Sequence, residues 1–501
     1  MASGAQTAGR VGIAVGFAAL LGVGVAVVVS RPAAAPPPSS TPPTTLEPPA
    51  PKRPRANTRW IAAAGGQTPE LNQVSIEQDL ALAAETFGPG GTTLFAAGPG
   101  RPVVQVLAEP SPSTNDPTAA LADLFAPRGG RDATYRAPTL ALDGPATEQT
   151  VRDALEAATG QSGPPLLLYL GGHGHRGPTD AENGVGLWAH GELTARGLAE
   201  LIRGTRRPVQ IVATTCFSGG LAELAFAEAD PDAGPMPDDV CGLFAAPHDL
   251  EASGCDPNPD RAAQQGFGLH FLHALRGMTR DGAPADVDFD GDGTIDPREA
   301  HAYVRIHSRA FDVPTSTSER WLEAVAPGPG SPKVRVDLPE ENAVIAALSR
   351  QLGLVDEPER AGLQYTKIES EIEALAEDLA QAQATEDQAW REASAEVLAR
   401  WPVLDDPWHP EFGAMMATNL DAITEHFAQS ERHAGYLRAR AEVDRISDAM
   451  FDLRAKAAPY ERLARALDYR QRARRLAAEG GDGWAHFERL RACERLPAPE
   501  G

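Results

Sequence analysis

Two short apolar runs, each followed by a glycine-rich polar segment, most constrain what this chain can fold into. Residues 166–170 (LLLYL) and 209–213 (VQIVA) are too short for buried helices, so we predict two strands that are buried on both faces. Residues 191–204, between them, carry leucine and isoleucine at helical spacing. Strand, helix and strand in this order predict a right-handed parallel crossover within an α/β sheet.

This crossover places two reactive side chains at one edge of the sheet. His173 follows the first strand and Cys216 follows the second. The carboxyl ends of parallel strands share an edge, and ligands bind there in open α/β sheets. A thiolate is a nucleophile, and glycines around both residues would let backbone N–H groups approach a tetrahedral oxyanion. The alternative is a polar strand-end histidine and a buried core thiol.

The two motifs together resemble those of the caspase-like cysteine peptidases. They are His-Gly-x-x-Gly after the first strand (His173, Gly174, Gly177) and Cys-x-Ser-Gly after the second (Cys216, Ser218, Gly219). This group includes caspases, metacaspases, legumains and bacterial caspase-like proteins, and the resemblance covers residues 58–325. It implies an endopeptidase with a Cys–His dyad, in which His173 protonates the leaving amine and His175 is a bystander. The N–H groups of Gly174 and Cys216 would form the oxyanion hole.

The resemblance also implies the walls of a substrate pocket. Metacaspases carry an aspartate two residues before the nucleophile, in the pocket for arginine or lysine, but Thr214 stands there in this chain. This departure leaves open both a basic preference and the aspartate preference of caspases. By resemblance, the predicted strand at 240–246 and the loop after it would contribute Phe244, Ala245, Ala246 and Ser253. The acidic loop at 230–239 is either a self-processing site, again by resemblance, or an ordinary surface loop.

The other elements of residues 57–335 predict the rest of an α/β domain. An apolar strand begins near Thr58, and the helix after it has Ser75 as its N-cap candidate. A strand at 92–97, a long loop at 98–145 and a helix at 147–159 follow, and another short helix is predicted at 221–229. This order predicts a parallel sheet with helices on both faces. With the resemblance, it implies a caspase-like, mostly parallel sheet that is flanked by helices.

An acidic segment at 288–299 (DFDGDGTIDPRE) matches the calcium-binding loop of EF-hands. Its oxygen ligands fall at positions one, three, five, seven, nine and twelve: Asp288, Asp290, Asp292, Thr294, Asp296 and Glu299. Residues 282–286 predict coil before the loop, and a helix is predicted from Pro297 to Ile306. We expect one Ca²⁺ ion, at the millimolar concentrations found outside cells; the alternative is a solvated acidic loop.

The first 56 residues predict a membrane segment and a linker. Residues 11–30, within the segment 1–30, carry no charge and could cross the hydrocarbon layer as a helix. A cleaved signal peptide is the alternative, because residues 33–35 are small. The Pro-rich stretch 31–56 predicts an extended spacer. With the calcium loop, these features predict a single-pass cell-membrane protein whose catalytic domain lies outside the cytoplasm, or a secreted or periplasmic protein after cleavage.

Residues 336–501 predict an all-α domain. Apolar residues recur three and four positions apart at 365–382 and again at 443–460, on helices with acidic and basic outer faces. We therefore predict an antiparallel helical hairpin or small bundle, with residues 401–412 at the turn. No catalytic motif occurs here. The domain could simply pack its own core, cover the cleft as an inhibitor, or bind a protein partner.

Charge and cysteine content narrow the function. The net charge of −24 argues against nucleic acid as a partner, because phosphates would be repelled. Four cysteines in 501 residues do not form a disulfide framework. Cys241 is predicted to be a buried thiol, and the alternative of a disulfide between Cys241 and Cys255 stays open. We expect a calcium-dependent endopeptidase that acts on proteins or peptides. The alternatives are an inactive caspase-like scaffold that presents the helical domain, and a zinc site (His173, His175, His190, Cys216).

Overall fold

A computed structural model describes residues 58–108, 117–125, 133–328 and 332–498. The predicted membrane segment and the Pro-rich linker lie outside the described residues. Among the helices of the described part, none combines the length and the hydrophobicity that crossing a bilayer requires. The described chain consists of an α/β region followed by a region of long helices.

The α/β region contains the strands. The described residues form β1 (Trp60–Gly65), β2 (Gly91–Phe95), β3 (Val104–Leu107), β4 (Ala133–Arg136), β5 (Leu166–Gly172), β6 (Gly174–His175), β7 (Gly184–Leu187), β8 (Gly191–Thr194), β9 (Val209–Ala213), β10 (Val240–Phe244) and β11 (Thr315–Ser316). The main sheet has the order β2, β1, β5, β9, β10, β11, and it is parallel except for β11 at its edge. Smaller antiparallel sheets join β3 with β4, and β7 with β6 and β8.

Helices occur in both regions. They are α1 (Val74–Phe87), α2 (Pro117–Phe125), α3 (Glu148–Thr159), α4 (Ala195–Ile202), α5 (Phe267–Leu275), α6 (Pro297–His307), α7 (Thr317–Val325), α8 (Pro339–Gln351), α9 (Ala361–Arg400), α10 (Phe412–Gln429), α11 (Glu431–Glu479) and α12 (Gly481–Glu494).

The parallel strands are buried on both faces, and this confirms the two predicted strands and their crossover helix. Side chains alternate along a strand, so a continuous apolar run supplies both faces at once. Ile61 and Leu168 pack with α3 and α4 on one face. Ala62 and Tyr169 pack with α1, α5 and α6 on the other. The sheet is thus mostly parallel and flanked by helices.

The prediction that Ser75 caps a helix is wrong. Helix α1 begins at Val74 with Gln73 as its N-cap. The Ser75 hydroxyl instead donates to the Gly254 carbonyl (2.6 Å) and accepts the Asp256 N–H (2.7 Å), so it fixes a loop rather than a helix end. The chain after Cys216 forms short 3₁₀ helices at Ser218–Ala225 and Ala227–Ala229, which confirms the short helix predicted at 221–229. The long predicted loop at 98–145 contains β3, α2 and β4.

The long helices α9 and α11 form the predicted antiparallel hairpin. Leu379 on α9 packs with Ile446 and Met450 on α11. Nearer the turn, α10 and α2 complete another apolar cluster, in which Leu121 of α2 meets Val397 of α9. The insertion between β3 and β4 therefore reaches the turn end of the hairpin.

The opposite end of the hairpin packs on the α/β region. Ile306 of α6 joins α8 and α11 in one apolar cluster. Cys241 of β10 forms a disulfide with Cys493 of α12, across 252 residues of sequence and with 5.9 Å between Cα atoms. The prediction of a free Cys241 thiol is therefore wrong, and Cys255 is not its partner but a free cysteine. A pairing between such distant residues depends on tertiary packing, which sequence spacing does not reveal.

Candidate functional site

His173 and Cys216 leave neighbouring strands at the same edge of the sheet. Strands β5 and β9 are adjacent and parallel, with Leu170 opposite Ala213. Gly174 packs directly against the backbone of Cys216, since a Cβ on Gly174 would lie only 2.0 Å from the Cys216 carbonyl oxygen. No residue with a side chain fits this approach. The fold therefore brings the segments that carry His173 and Cys216 into backbone contact.

The chain turns sharply after Cys216. Phe217 has a left-handed conformation with φ 55°, which is uncommon for a bulky residue. Its N–H donates to the Leu250 carbonyl (2.8 Å), and the Gly219 N–H donates to the Ala246 carbonyl (2.8 Å). Strained backbone of this kind persists only where surrounding bonds fix it, and it clusters at functional sites.

The thiol of Cys216 is half-buried beneath the loop that follows β10. Its sulfur donates to the Ala252 carbonyl (3.4 Å) and accepts the Ala252 N–H (3.3 Å). Burial raises the pKa of Cys216 to about 11; the Ala252 N–H opposes this rise, while the carboxylates of Glu251 and Asp312 add to it. The sulfur is therefore protonated near neutral pH in this conformation.

The ring of His173 is held by the segment that precedes α1. Its Nε2 lies 2.9 Å from the Gln73 side-chain oxygen. Burial lowers the pKa of His173, the Leu71 backbone opposes this and His175 adds to it, so the ring is neutral near pH 7. In the described part of the chain, His173 is hydrogen-bonded to Gln73 and not to the Cys216 sulfur. His175 pairs instead with Glu192, 3.0 Å away.

A cavity lies between the ends of β5 and β9, helix α1 and the loop 253–255. Its lining residues are Ile76, Asp79, Tyr169, Gly171, Gly172, Thr214, Ser253, Gly254, Cys255 and Gly268. The pocket residues predicted from the sequence thus divide into two groups. Thr214 and Ser253 line the cavity, whereas Phe244, Ala245 and Ala246 are fully buried in the core and do not. Phe244 ends strand β10, and Ala245 and Ala246 follow it directly; Phe244 and Ala245 pack in the apolar clusters on the two faces of the sheet.

Two polar groups meet in the cavity: the Tyr169 hydroxyl, which is buried, and the Asp79 carboxylate, whose side chain is 14% exposed. The Asp79 carboxylate lies 2.7 Å from the Arg261 guanidinium, as an ion pair rather than a well-aligned hydrogen bond. Burial raises the pKa of Asp79 and Arg261 opposes this rise. The Tyr169 hydroxyl is buried and makes no well-formed hydrogen bond. A Cβ on Gly268 would lie 2.9 Å from both the Asp79 and the Tyr169 oxygens, so the glycine leaves room where these groups meet.

Sequence reasoning missed Asp79, although one signal was available. Helix α1 follows β1, so its first turns start at the same carboxyl edge of the sheet as His173 and Cys216. Asp79 lies one turn after Ile76, on the same face of this helix. An acidic residue at that position was therefore a candidate for the site.

The acidic loop 288–299 brings three of its predicted ligands together. Oxygens of Asp288, Asp290 and Asp292 lie within 4.8 Å of one another, and Gly293 has the φ of +87° that the sharp turn needs. No other three histidine, cysteine or acidic side chains converge in this way within the described ranges, so the four residues of the zinc alternative do not form a cluster. Helix α6 follows the loop as predicted, and coil precedes it.

The last two predicted ligands, Asp296 and Glu299, begin helix α6 as a capping box. The Asp296 carboxylate accepts the Glu299 N–H, and the Glu299 carboxylate accepts the Asp296 N–H. Glu299 also accepts the N–H groups of Phe289 and Asp290, so it ties the start of the loop to its end. Asp292 accepts the Thr294 hydroxyl. The donors are all hard oxygens in a tight turn, and this set fits a calcium ion.

The chain was compared with models of protein families and with curated proteins. Neither a scan against models of protein families nor a search of curated proteins finds a match for this chain.

Proposed function

We propose that this chain is a cysteine endopeptidase, with Cys216 as the nucleophile and His173 as the proton carrier. The observation that carries the proposal is the close packing of Gly174 on the Cys216 carbonyl, at the ends of two adjacent parallel strands. This packing joins the segments that carry the thiol and the imidazole, next to a cavity that contains the polar side chains of Asp79, Tyr169 and Thr214. A scaffold that only presents the helices would require none of these features.

The neutral His173 suits the first step of such a reaction. The ring would accept the Cys216 proton, and the thiolate would attack the scissile carbonyl carbon, whose π electrons move to oxygen. Backbone N–H groups of Gly174 and Cys216 would stabilise this oxyanion. His173 then returns its proton to the leaving amine as the C–N bond breaks, and water hydrolyses the thioester.

The hydrogen bonds between the Cys216 sulfur and the Ala252 backbone are those of a resting conformation, in which the proposed nucleophile is not activated. A thiol with a pKa of about 11 is almost wholly protonated near pH 7, and its hydrogen bonds to Ala252 occupy the sulfur. Attack therefore requires that the substrate displace the Ala252 contacts and bring the His173 ring to the sulfur.

The polar side chains of the cavity would favour a basic side chain before the scissile bond. The cavity is too small for such a side chain in this conformation and would have to widen to admit it. Asp79 supplies a carboxylate, and Tyr169 and Thr214 supply hydroxyls. Asp79 has one cationic partner, Arg261, at the margin of the cavity; the Arg261 side chain is 30% exposed. An arginine or lysine side chain would gain a charge-assisted hydrogen bond in surroundings of low dielectric. Asp79, on α1, would thus supply the negative charge for a basic side chain that the uncharged Thr214, after β9, lacks.

Calcium would act away from the reacting atoms. Asp288, Asp290, Asp292, Thr294, Asp296 and Glu299 would hold the ion, which supplies positive charge that neutralises the crowded carboxylates. By themselves, the capping box and the Glu299 bonds already fix the direction in which α6 leaves the loop. We infer that calcium strengthens this arrangement.

The disulfide supports a location outside the cytoplasm. Structural disulfides persist in oxidising compartments and are rare in the cytosol. Cys241 and Cys493 join a central strand to the last helix. Together with the uncharged run at 11–30, this pairing supports the proposal of a membrane-anchored protein with an exported catalytic region.

Covalent labelling tests the proposed function. Peptides that carry an electrophile at the carbonyl of a terminal arginine, citrulline or aspartate would be incubated with the full-length chain in mild detergent. We expect one adduct by intact mass, located on Cys216, formed fastest with arginine and absent from Cys216→Ala. No adduct from any probe on folded protein would contradict the enzyme and favour the scaffold.

A further inference from the structure

Helix α11 contacts the active-site wall through one face. Phe451, Arg454 and Arg462 follow one another at intervals of three and eight residues, so their side chains point to the same side of the helix. Phe451 stacks on Phe311 with ring centroids 5.9 Å apart, and Arg454 binds the Glu251 carboxylate at 2.8 Å. This face therefore meets both the loop next to Cys216 and the connection between α6 and β11.

Arg462 makes the closest of these connections. Its guanidinium donates to the carbonyls of Ser308 (2.8 Å), Ala310 (2.7 Å) and Asp312 (2.7 Å). The side chain is only 1% exposed, so these three carbonyls replace water as its partners. The planar fork of an arginine can bind several acceptors at once, which a lysine ammonium on the same stem cannot do in this geometry. Residues 308–312 are thus wrapped around one side chain of α11.

Asp312 extends this connection to the catalytic loop. Its carboxylate accepts the Ser253 N–H (2.6 Å) and the Ser253 hydroxyl (2.9 Å). The preceding residue, Ala252, makes both bonds to the Cys216 sulfur, and Ser253 itself lines the cavity. A continuous series of hydrogen bonds therefore runs from α11 to the nucleophile.

We propose that Arg462 is a positioning residue which, through Asp312 and Ser253, holds the loop 251–255 in the place that shapes the cavity beside Cys216. This inference rests on the proposed peptidase function. It makes the C-terminal hairpin a required part of the active site, and neither an independent module nor an inhibitory cover. Arg454 supports the same loop through Glu251, but less strongly, because their side chains are 23% and 30% exposed.

Two measurements on the full-length chain test this role: peptidase kcat/KM, and the rate at which iodoacetamide alkylates Cys216, located by peptide mass. The variants are Arg462→Lys, which keeps the charge without the fork, and Ser253→Ala, which removes one bond to Asp312. Arg445→Lys is the matched control, because Arg445 lies on the same helix and pairs with Glu442 at the exposed surface, away from the loop 251–255. Thermal unfolding shows whether each variant is folded at the assay temperature.

We expect the two measurements to move in opposite directions. A loosened loop deforms the cavity, so kcat/KM should fall about tenfold or more in Arg462→Lys and about threefold in Ser253→Ala. A loosened loop also exposes the Cys216 thiol to water, which raises the fraction of thiolate. Alkylation near pH 8 should therefore become faster by about threefold or more. A residue that only stabilises the fold would not raise the reactivity of Cys216 in folded protein. Arg445→Lys should leave both values unchanged.

Other results would separate the two proposals. Unchanged kcat/KM and alkylation in folded Arg462→Lys would overturn the positioning role, and so would the same result in Ser253→Ala if Arg462→Lys does not fold. A rise in both values would also overturn it, in favour of an inhibitory cover. If the wild-type chain cleaves no peptide but alkylation still rises in the variants, the peptidase proposal fails while the control of the loop by Arg462 stands.

Discussion

Gly174 and Cys216 are in direct backbone contact across the ends of strands β5 and β9. A Cβ on Gly174 would lie 2.0 Å from the Cys216 carbonyl oxygen, well inside any tolerated separation. The contact fixes the spacing between the segment that carries His173 and the segment that carries the thiol. Both the packing of the two strand ends and the proposed chemistry therefore depend on this backbone contact.

Gly174→Ala should lower peptidase kcat/KM by about 100-fold or more. The new methyl group would separate the two segments, and a misplacement of about 1 Å can cost about 100-fold in rate. Overpacking should also lower the free energy of unfolding by about 1–3 kcal/mol. Peptidase kinetics and chemical denaturation measure the two effects. Gly362→Ala, in α9 with open space around it, is the matched control and should change neither activity nor stability appreciably.

Asp79→Asn should remove the preference for a basic side chain. The amide keeps the shape of the carboxylate but not its charge, so the advantage of arginine over citrulline peptides should fall by about 30-fold or more. Competitive cleavage of the two peptides gives this ratio directly. Asp153→Asn, on the exposed side of α3, should preserve it. Equal selectivity in Asp79→Asn and wild type would show that the cavity does not receive the charged side chain.

Loss of the disulfide should destabilise the chain without blocking the site. Replacing both Cys241 and Cys493 by serine opens a closed loop of 252 residues, and should lower the free energy of unfolding by about 2–5 kcal/mol. Urea denaturation would compare the variant with wild type in the absence and presence of a reductant. The difference should disappear when wild type is reduced. A difference that persists would mean that the serines disturb packing rather than remove a covalent link.

The alkylation of Cys216 should depend on pH in a direction set by its burial. Because burial raises the pKa of this thiol to about 11, the thiolate fraction in the resting chain stays small near neutral pH and rises with pH towards that value. The iodoacetamide rate should therefore increase about tenfold per pH unit between about pH 7 and pH 10. Burial raises the pKa of Cys255 as well, so Cys255 should remain unlabelled in this range. A plateau near pH 8 would contradict the buried resting thiol.

Calcium should stabilise the chain through the acidic loop. Millimolar calcium should raise the thermal unfolding temperature by several degrees, because an ion that binds only the folded state stabilises it by about 2.7 kcal/mol at a hundred times its Kd. Asp290→Asn removes one of the three clustered carboxylates and should abolish the shift. Asp405→Asn, an exposed acid near the hairpin turn, should keep it. An equal shift in both variants would point to non-specific ion binding.

The elements that the sequence predicted well are those determined by local pattern. Strand β5 begins with a continuous apolar run and β9 is an apolar run with one polar residue, Gln210, and both are too short for buried helices. The helix predicted at 147–159 is α3. The hairpin of α9 and α11 follows from two apolar repeats. The prediction that His173 and Cys216 lie at one edge of the sheet is confirmed, because a parallel crossover sends both strand ends to the same edge.

What the sequence could not provide depends on distant partners. Cys241 and Cys493 are 252 residues apart, and only the return of α12 to β10 brings them together. Phe244 and Ala245 lie in the segment that was predicted to wall a substrate pocket, but both side chains are buried in the core around the sheet. Arg462 is one of many arginines in a basic helix, and nothing in its neighbours distinguishes it from the exposed Arg445. Its role became visible only with the three carbonyls that surround it.

The most direct test of the proposed peptidase activity is the labelling of Cys216 by a peptidyl electrophile that ends in arginine. The full-length chain would be compared with Cys216→Ala and Asp79→Asn, and each sample read by intact mass and peptide mapping. We predict a single adduct on Cys216 in wild type, none in Cys216→Ala, and slow labelling without preference for arginine over citrulline in Asp79→Asn. If folded wild-type protein forms no adduct, or forms one on Cys255 instead, the proposal that Cys216 is the nucleophile of a peptidase is contradicted.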